Sequence, residues 1–449
     1  QETMTQIKTL VTLFLIILSL FLIPYAMPPV LAQEKSVTEA QEQDEEQALD
    51  DDLDQESELQ KPQIEGRFQF KQIGQVVNED TRINPENETW DLKESHRTIN
   101  IYAQISDYFD DEETVRWLFK GYGYSKYESG QENSQDDDLL RIDELYLDGA
   151  FGNWFVNVGK RRITWGTTSV FNPVNVVVPP RNPLVPDPQT EGHPMLLVNY
   201  GGDLINFDLI LTKTYDRDWY GQYQRWGARL NLLFDDFDIG LYYFDGEPYA
   251  NNSRYSRMAA VSYSSNFLQD ATLYVELASF SENYRFYFND NGVPEVKDER
   301  IFRGAIGSVI TLDGSASILV EVFHNGSSYT RKEREFYFNA VDTNLSVIRS
   351  ESLLNDYQKW VLGQYQIWQM NQNYLLLTYS KSFWEKYSTS FNVIVAEDSS
   401  AITTASGSYS ISDYYLLDAS LRDYSGDENS EFGNYYVSSV LTLSLSSSF

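Results

Sequence analysis

The sequence predicts an all-β fold: a transmembrane antiparallel up-and-down β-barrel of 16 to 18 strands carrying an inward-folded, proline-rich loop. Three observations predict it. The 449 residues include 32 Tyr, 25 Phe and 9 Trp, more than a soluble core of this size needs, whereas barrels of outer membranes carry aromatic girdles at both interfaces. From about Gln63 onward no window holds enough consecutive apolar residues for a spanning helix, and period-two alternation takes over. The connections come in two sizes that alternate for most of the chain, as strands running up and down through a bilayer require.

Residues 1–32 read as a secretory signal peptide, with translation starting at Met4. Lys8 precedes the apolar run Leu10 to Ile23, and Pro24, Pro28 and Pro29 then lead to Val-Leu-Ala at 30 to 32, with cleavage after Ala32. Residues 33–62 form an acidic, disordered periplasmic segment. Between Glu34 and Glu58 there are 12 acids against a single base, Lys35, a solvated run that could also dock a periplasmic partner through residues 34–60.

Residues 63–449 carry the barrel. Runs of alternation recur at 98–108, 203–212, 226–235, 271–280, 313–323 and 374–384. In the last strand Tyr435, Val437, Leu441, Leu443, Leu445 and Phe449 fall on one face, and Tyr436, Ser438, Thr442, Ser444, Ser446 and Ser448 on the other. Short turns are expected at 149–153, 234–238, 265–270, 311–315 and 370–373, and long polar loops near 76–96, 125–138, 166–193, 213–224, 281–299 and 325–355. Nineteen candidate strands result, one too many for the even-number rule; the doubtful pieces are 194–202 and 387–412. A barrel this wide leaves an aqueous lumen unless a loop or plug fills it.

Composition also excludes functions. A net charge of −33 excludes nucleic acid as a partner, because the phosphate backbone requires a basic face. The absence of cysteine excludes disulfides, thiolate metal sites and covalent haem. His96, His193 and His324 have no spacing that suggests a metal pair or a catalytic triad, so neither a cofactor nor an enzymatic activity is expected.

The most informative stretch is 142–183. A strand carrying Asp143, Glu144 and Asp148 turns at Gly149 to Asn153 into a second strand that brings Lys160, Arg161 and Arg162 into the spanning region together. Alternation points one of these cations at lipid, where it costs about 2–4 kcal/mol at the midplane, unless a bulge near Gly159 interrupts the pleat or the strand leaves the membrane there. Turned inward, the cations form a lumen patch with Glu144 and Asp148 as counter-charges and Asp143 on the other face. Such a patch serves either as a constriction selecting anionic or polar solutes or as a salt-bridge network filling the barrel. From Asn172 to Pro194 there are seven prolines, so the chain there forms neither ladder nor helix. The stiff, apolar loop is expected to fold into the barrel mouth as a constriction, with a sealing cap as its other reading. The candidate pore residues are Glu144, Asp148, Lys160, Arg161, Arg162, Trp165, Asn172, Pro173, Pro179, Pro180, Arg181 and His193.

The string VGKRRITWGTTSVFNPVN, then PPRNPLVP and EGHPMLLV, resembles a pattern of Gram-negative outer-membrane porin-like proteins, similar in general form to phosphate-selective and alginate-export porins. The resemblance covers residues 142–197 and a late segment from Asp413 through Phe432-Gly433 to the end. Gly159, Lys160, Trp165, Gly166, Asn172, Pro173, Pro179, Pro180, Pro183, Glu191, Gly192 and Pro194 fit it; Arg161, Asn175 and Asn182 depart from it, at positions that bear on solute selectivity. Phe449 resembles the terminal aromatic read by the barrel-assembly machinery, with Ser447 departing from the usual apolar residue. The resemblance implies a channel for diffusion or export of a small polar or anionic solute. The alternative from the same patterning is a scaffold barrel that encloses or docks a partner, as an electron-conduit sheath or an export component.

Overall fold

The computed structural model describes residues 62–87, 91–109, 114–128, 139–177, 191–215, 222–246, 257–281, 284–312, 315–348, 356–384 and 386–449. Among them are β1 (Gln63–Val77), β2 (Ser95–Tyr108), β3 (Val115–Glu128), β4 (Leu139–Phe151), β5 (Trp154–Arg161), β6 (His193–Gly201), β7 (Ile205–Tyr215), β8 (Gln222–Leu233), β9 (Phe237–Gly246), β10 (Arg257–Leu268), β11 (Ala271–Phe280), β12 (Tyr284–Phe288), β13 (Pro294–Asp298), β14 (Ile301–Thr311), β15 (Ala316–Asn325), α1 (Arg331–Ile348), α2 (Asp356–Gly363), β16 (Asn373–Phe383), β17 (Tyr387–Ala396), β18 (Ala401–Ser412), β19 (Tyr415–Ser425) and β20 (Val437–Ser448).

All strands but β12 and β13 join one 18-stranded antiparallel sheet. β1 pairs with both β2 and β20, so the sheet closes and has no edge. Closure is what lets every ladder group find a partner in a bilayer. Alternation along each strand then separates two surfaces. Leu145 and Leu147 on β4, Leu209 and Leu211 on β7, Val320 and Val322 on β15, and Leu375 and Leu377 on β16 stay exposed, forming an apolar outer band that only lipid would solvate. Residues of the opposite register, among them Glu144 on β4, Asp208 on β7, Glu276 on β11 and Glu321 on β15, are buried within the barrel.

Two-residue connections (152–153, 269–270, 413–414) and other short ones mark one rim, and the long connections mark the other, which also carries the four-residue connection 397–400. The doubtful pieces of the sequence reading resolve as strands: 193–201 is β6, and 387–412 holds β17 and β18. Residues 370–373 are not a short turn. Residues 370–372 end the long connection between β15 and β16 and Asn373 opens β16; the short connection is the next one, between Phe383 and Tyr387. The long connection itself is not an irregular polar loop, since it contains α1 and α2. The N-terminus of α1 is capped reciprocally: Thr330 N donates to Glu333 Oε2 at 2.9 Å and Glu333 N to Thr330 Oγ1 at 3.4 Å, a capping box. Tyr337, Phe338 and Val341 then bury one helical stripe against Ile83, Phe288, Val361, Leu362, Tyr365 and Met370. The long-loop rim thus carries a hydrophobic core of its own.

The signal peptide expected at 1–32 and, except for Pro62, the acidic segment expected at 33–62 lie outside the described residues.

Candidate channel constriction

β5 is eight residues long and ends at Arg161. The chain then runs along the inner wall instead of continuing the ladder. Gly166 makes the turn with φ 107, where a Cβ would meet Asn172 Oδ1 at 2.5 Å. Asn172 ties the turn from within: its Nδ2 donates to Trp165 O at 2.6 Å and its Oδ1 accepts from Asn175 N at 2.9 Å. Pro173 is buried beside it.

Two wall carboxylates hold this segment. Glu276 on β11 accepts from Thr167 N, from Thr167 Oγ1 at 3.2 Å and from Thr168 N at 3.0 Å. Glu321 on β15 accepts from Ser169 N at 3.2 Å, Val170 N at 3.4 Å, Phe171 N at 2.6 Å and Tyr274 OH at 2.7 Å. Five consecutive backbone N–H groups therefore face two fully buried carboxylates, which satisfies donors that an irregular segment inside a barrel would otherwise leave unpaired. Trp165, fully buried, packs on Tyr242 and Phe244 with centroids 5.9 and 6.1 Å away, joined by Val174 and Val177. Phe171 stacks on Phe323 at 4.6 Å with 3° between the planes. Of the expected inward proline-rich loop, residues 178–190, with Pro179, Pro180, Arg181 and Pro183, lie outside the described residues.

Gly227 on β8 makes room for Trp165. A Cβ there would come within 2.5 Å of Phe244 and 2.8 Å of the indole. Gly227→Ala is therefore expected to destabilise the barrel by about 1–3 kcal/mol, read as a lower unfolding midpoint together with a shifted Trp emission maximum.

The cations of β5 divide. The β4–β5 ladder runs without a register shift, pairing Tyr146 with Gly159 and Leu145 with Lys160, so no bulge lies at Gly159. Lys160 shares the outward register of Leu145, and its ammonium is capped by Ile142 O at 2.6 Å and by Glu191. It is not part of the lumen patch, because the pleat that turns Arg161 inward turns its neighbour outward. The bulge lies one strand over: Lys120 pairs with Glu144 but Gly121 with Ile142, leaving Asp143 as the extra residue. That switches the outward set of β4 from Leu140 and Ile142 to Leu145 and Leu147 and brings Asp143 inside beside Glu144, not onto the opposite face.

Inside, Asp148 pairs with Arg116 at 2.7 Å and Arg161 at 3.0 Å, and Arg161 also covers the Tyr146 ring at 4.8 Å. Glu144 takes Lys120 at 2.9 Å and Arg162 N at 3.2 Å. Arg229 pairs with Asp208 at 2.6 Å. His193 pairs with Arg161 across β5 and β6. A lumen cavity of 680 Å³ is lined by Arg116, Asp148, Arg161, Arg162, Asp208 and Arg229, and a second of 580 Å³ by Arg67, Lys120, Asp143, Glu144 and Arg162. Arg162 borders both.

Arg116, Asp208, Arg229, Glu276 and Glu321 were not singled out in the sequence. The two glutamates had a legible signal: each is a lone acid in an apolar alternating strand (LYVELAS, ILVEVFH), and such an acid must take the lumen side. Arg116 and Arg229 carry no such mark.

A closed 18-stranded transmembrane β-barrel of the outer-membrane type, with an irregular segment bonded to its inner wall, is the class of protein these features define. No family model and no curated protein matches the chain. Among solved structures it is similar to a triple mutant of Rhodopseudomonas blastica porin at 8% identity, covering 87% of this chain and 100% of that one with a TM-score of 0.44. A second mutant of that porin aligns at 9% identity and a TM-score of 0.43, with the same coverage. The fold assignment rests on the strand pairing and not on this likeness.

Proposed function

We propose that the barrel is a porin-like channel that passes small polar or anionic solutes between the wall-bonded segment and a cationic arc of the lumen. The observation that carries this reading is the 680 Å³ cavity lined by Arg116, Arg161, Arg162 and Arg229, with Ile163, at the start of the bonded segment, also on its boundary. Fixed charges lining a pore set its selectivity, and arginine, charged at every working pH, keeps that selectivity constant. Phe449 completes the β1–β20 seam, exchanging two backbone bonds with Gly66 at 2.8 and 3.0 Å; in this reading it also serves as the assembly signal.

The test is ion selectivity in planar bilayers. The refolded chain is expected to conduct with a reversal potential displaced toward chloride in a KCl gradient, and Arg116→Gln with Arg161→Gln to move it toward potassium by several millivolts, about the loss of two fixed charges. A barrel that inserts but carries no current overturns the channel reading and leaves the partner-enclosing scaffold.

A further inference from the structure

The 680 Å³ cavity is not uniformly polar. Two register rows cross its wall. One runs Arg116, Asp148, Asn157, Leu197 from β3 to β6, and the other runs Phe155, Asn199, Asp208, Arg229 from β5 to β8. Phe155 shares the inward register of Asn157, whose amide donates to Asp148 at 2.6 Å, yet the ring is 49% exposed. Inward positions of a water-filled barrel are polar, so closing the barrel does not call for a half-exposed phenyl ring here. Leu197, Ile163 and Tyr108 line the same cavity.

The apolar centre is flanked by guanidinium groups, Arg116 and Arg161 on one side and Arg229 on the other. Four arginines, with Arg162 at the boundary, stand against two carboxylates, Asp148 and Asp208, which pair with Arg116, Arg161 and Arg229. A solute matching this wall has an oxyanion at one end and a flat apolar body. We propose, on the basis of the channel reading above, that the cavity is a binding station for aromatic carboxylates. The ring lies over Phe155 and Leu197, and the carboxylate engages the arginine edges, whose planar forks suit a two-oxygen anion. Aromatic stacking supplies the preference over smaller anions.

The probes are benzoate, acetate and benzyl alcohol added to the full chain conducting chloride in a planar bilayer. Benzoate is expected to halve the chloride current at about one tenth of the acetate concentration, the discrimination expected from burying one ring, while benzyl alcohol, apolar but uncharged, has little effect. Phe155→Ser is expected to bring benzoate to the acetate level with chloride selectivity unchanged, which also shows that the variant folds; Arg229→Gln is expected to weaken both anions. Equal action of benzoate and acetate on the wild-type chain, or an undiminished benzoate preference in Phe155→Ser, overturns the station and leaves the channel intact. If no salt conducts, the channel reading fails, and equilibrium dialysis of benzoate against the detergent-solubilised protein, wild type beside Phe155→Ser, decides whether the site stands alone.

Discussion

Glu321→Ala is expected to lower the unfolding temperature of the barrel and to raise its single-channel conductance together. The carboxylate is fully buried and accepts three backbone N–H bonds from residues 169–171 and one hydroxyl from Tyr274. Truncation removes all four acceptor contacts at once. Each buried donor left without a partner costs about 1–3 kcal/mol, and water entering from the lumen recovers part of this, so a net loss of about 3–5 kcal/mol is expected. Phe171, stacked on Phe323, keeps a second hold on the segment, so Glu321→Ala with Phe171→Ala should widen the pore further than either change alone. Glu276→Ala, which releases Thr167 and Thr168, should act in the same direction. The measurements are the temperature at which the unboiled protein loses its compact gel mobility and the step size of single channels. A Glu321→Ala barrel with unchanged melting and conductance would show that the wall carboxylates do not hold the segment.

Between about pH 5 and about pH 9 the loop core of the long-loop rim is expected to lose stability as pH rises. Glu431, in the connection between β19 and β20, is fully buried. It accepts from Trp368 N at 2.5 Å, Asn371 Nδ2 at 2.7 Å and Tyr374 OH at 2.8 Å. Burial pushes its carboxyl up to about 8, and the nearby Asp398 charge adds to the shift. The same Asn371 amide donates to Asp398 at 2.8 Å, and Arg334 of α1 stands 3.8 Å from Asp398, so three loops meet at two carboxylates. The folded chain keeps the Glu431 proton until pH approaches 8, whereas the unfolded chain releases it near 4.5. Unfolding therefore releases a proton in that window, and stability falls as pH rises through it, by on the order of 5 kcal/mol at full ionisation; above about pH 9 the slope disappears.

Asp398 behaves oppositely. Burial raises its carboxyl, but bonds from Ser400, Asn371 and the Glu431 N–H outweigh this and hold it below the usual range, so its contribution is present above its unfolded value of 3.8 and is lost as pH falls below it. Near-ultraviolet dichroism of the aromatic loop core, melted at about pH 5, 7 and 9, tests the Glu431 window, and melts at about pH 5 and 3 test Asp398; Glu431→Gln should flatten the slope above pH 5. A slope unchanged by that substitution assigns the pH dependence to another group.

Much of the fold was written in local pattern. Alternation in β20 and β16, the lone acids of β11 and β15, and the short turns at 152–153 and 413–414 each depend on neighbours within a few residues, and the side-chain period of a strand leaves little freedom once one face must meet lipid. The α1 helix was also locally marked, by Thr330 and Glu333 at capping-box spacing, but an expected long polar loop hid it. The motif at 159–173 was legible as a unit because its parts bond to one another: Gly166 makes the turn, and Asn172 spans from Trp165 to Asn175.

The sequence by itself determined the class of the protein, a lipid-facing barrel, and marked the stretch around Gly159 to Arg162 as the place where regular alternation has to break. Only the tertiary structure decided which charges face the lumen and what holds the inner segment. A one-residue bulge on β4 reverses the face of every residue beyond it, and whether β4 or β5 carries it depends on pairing between strands. Likewise Glu276 and Glu321 lie more than a hundred residues from the amides they bind, and only closure of the barrel brings those partners within hydrogen-bonding distance.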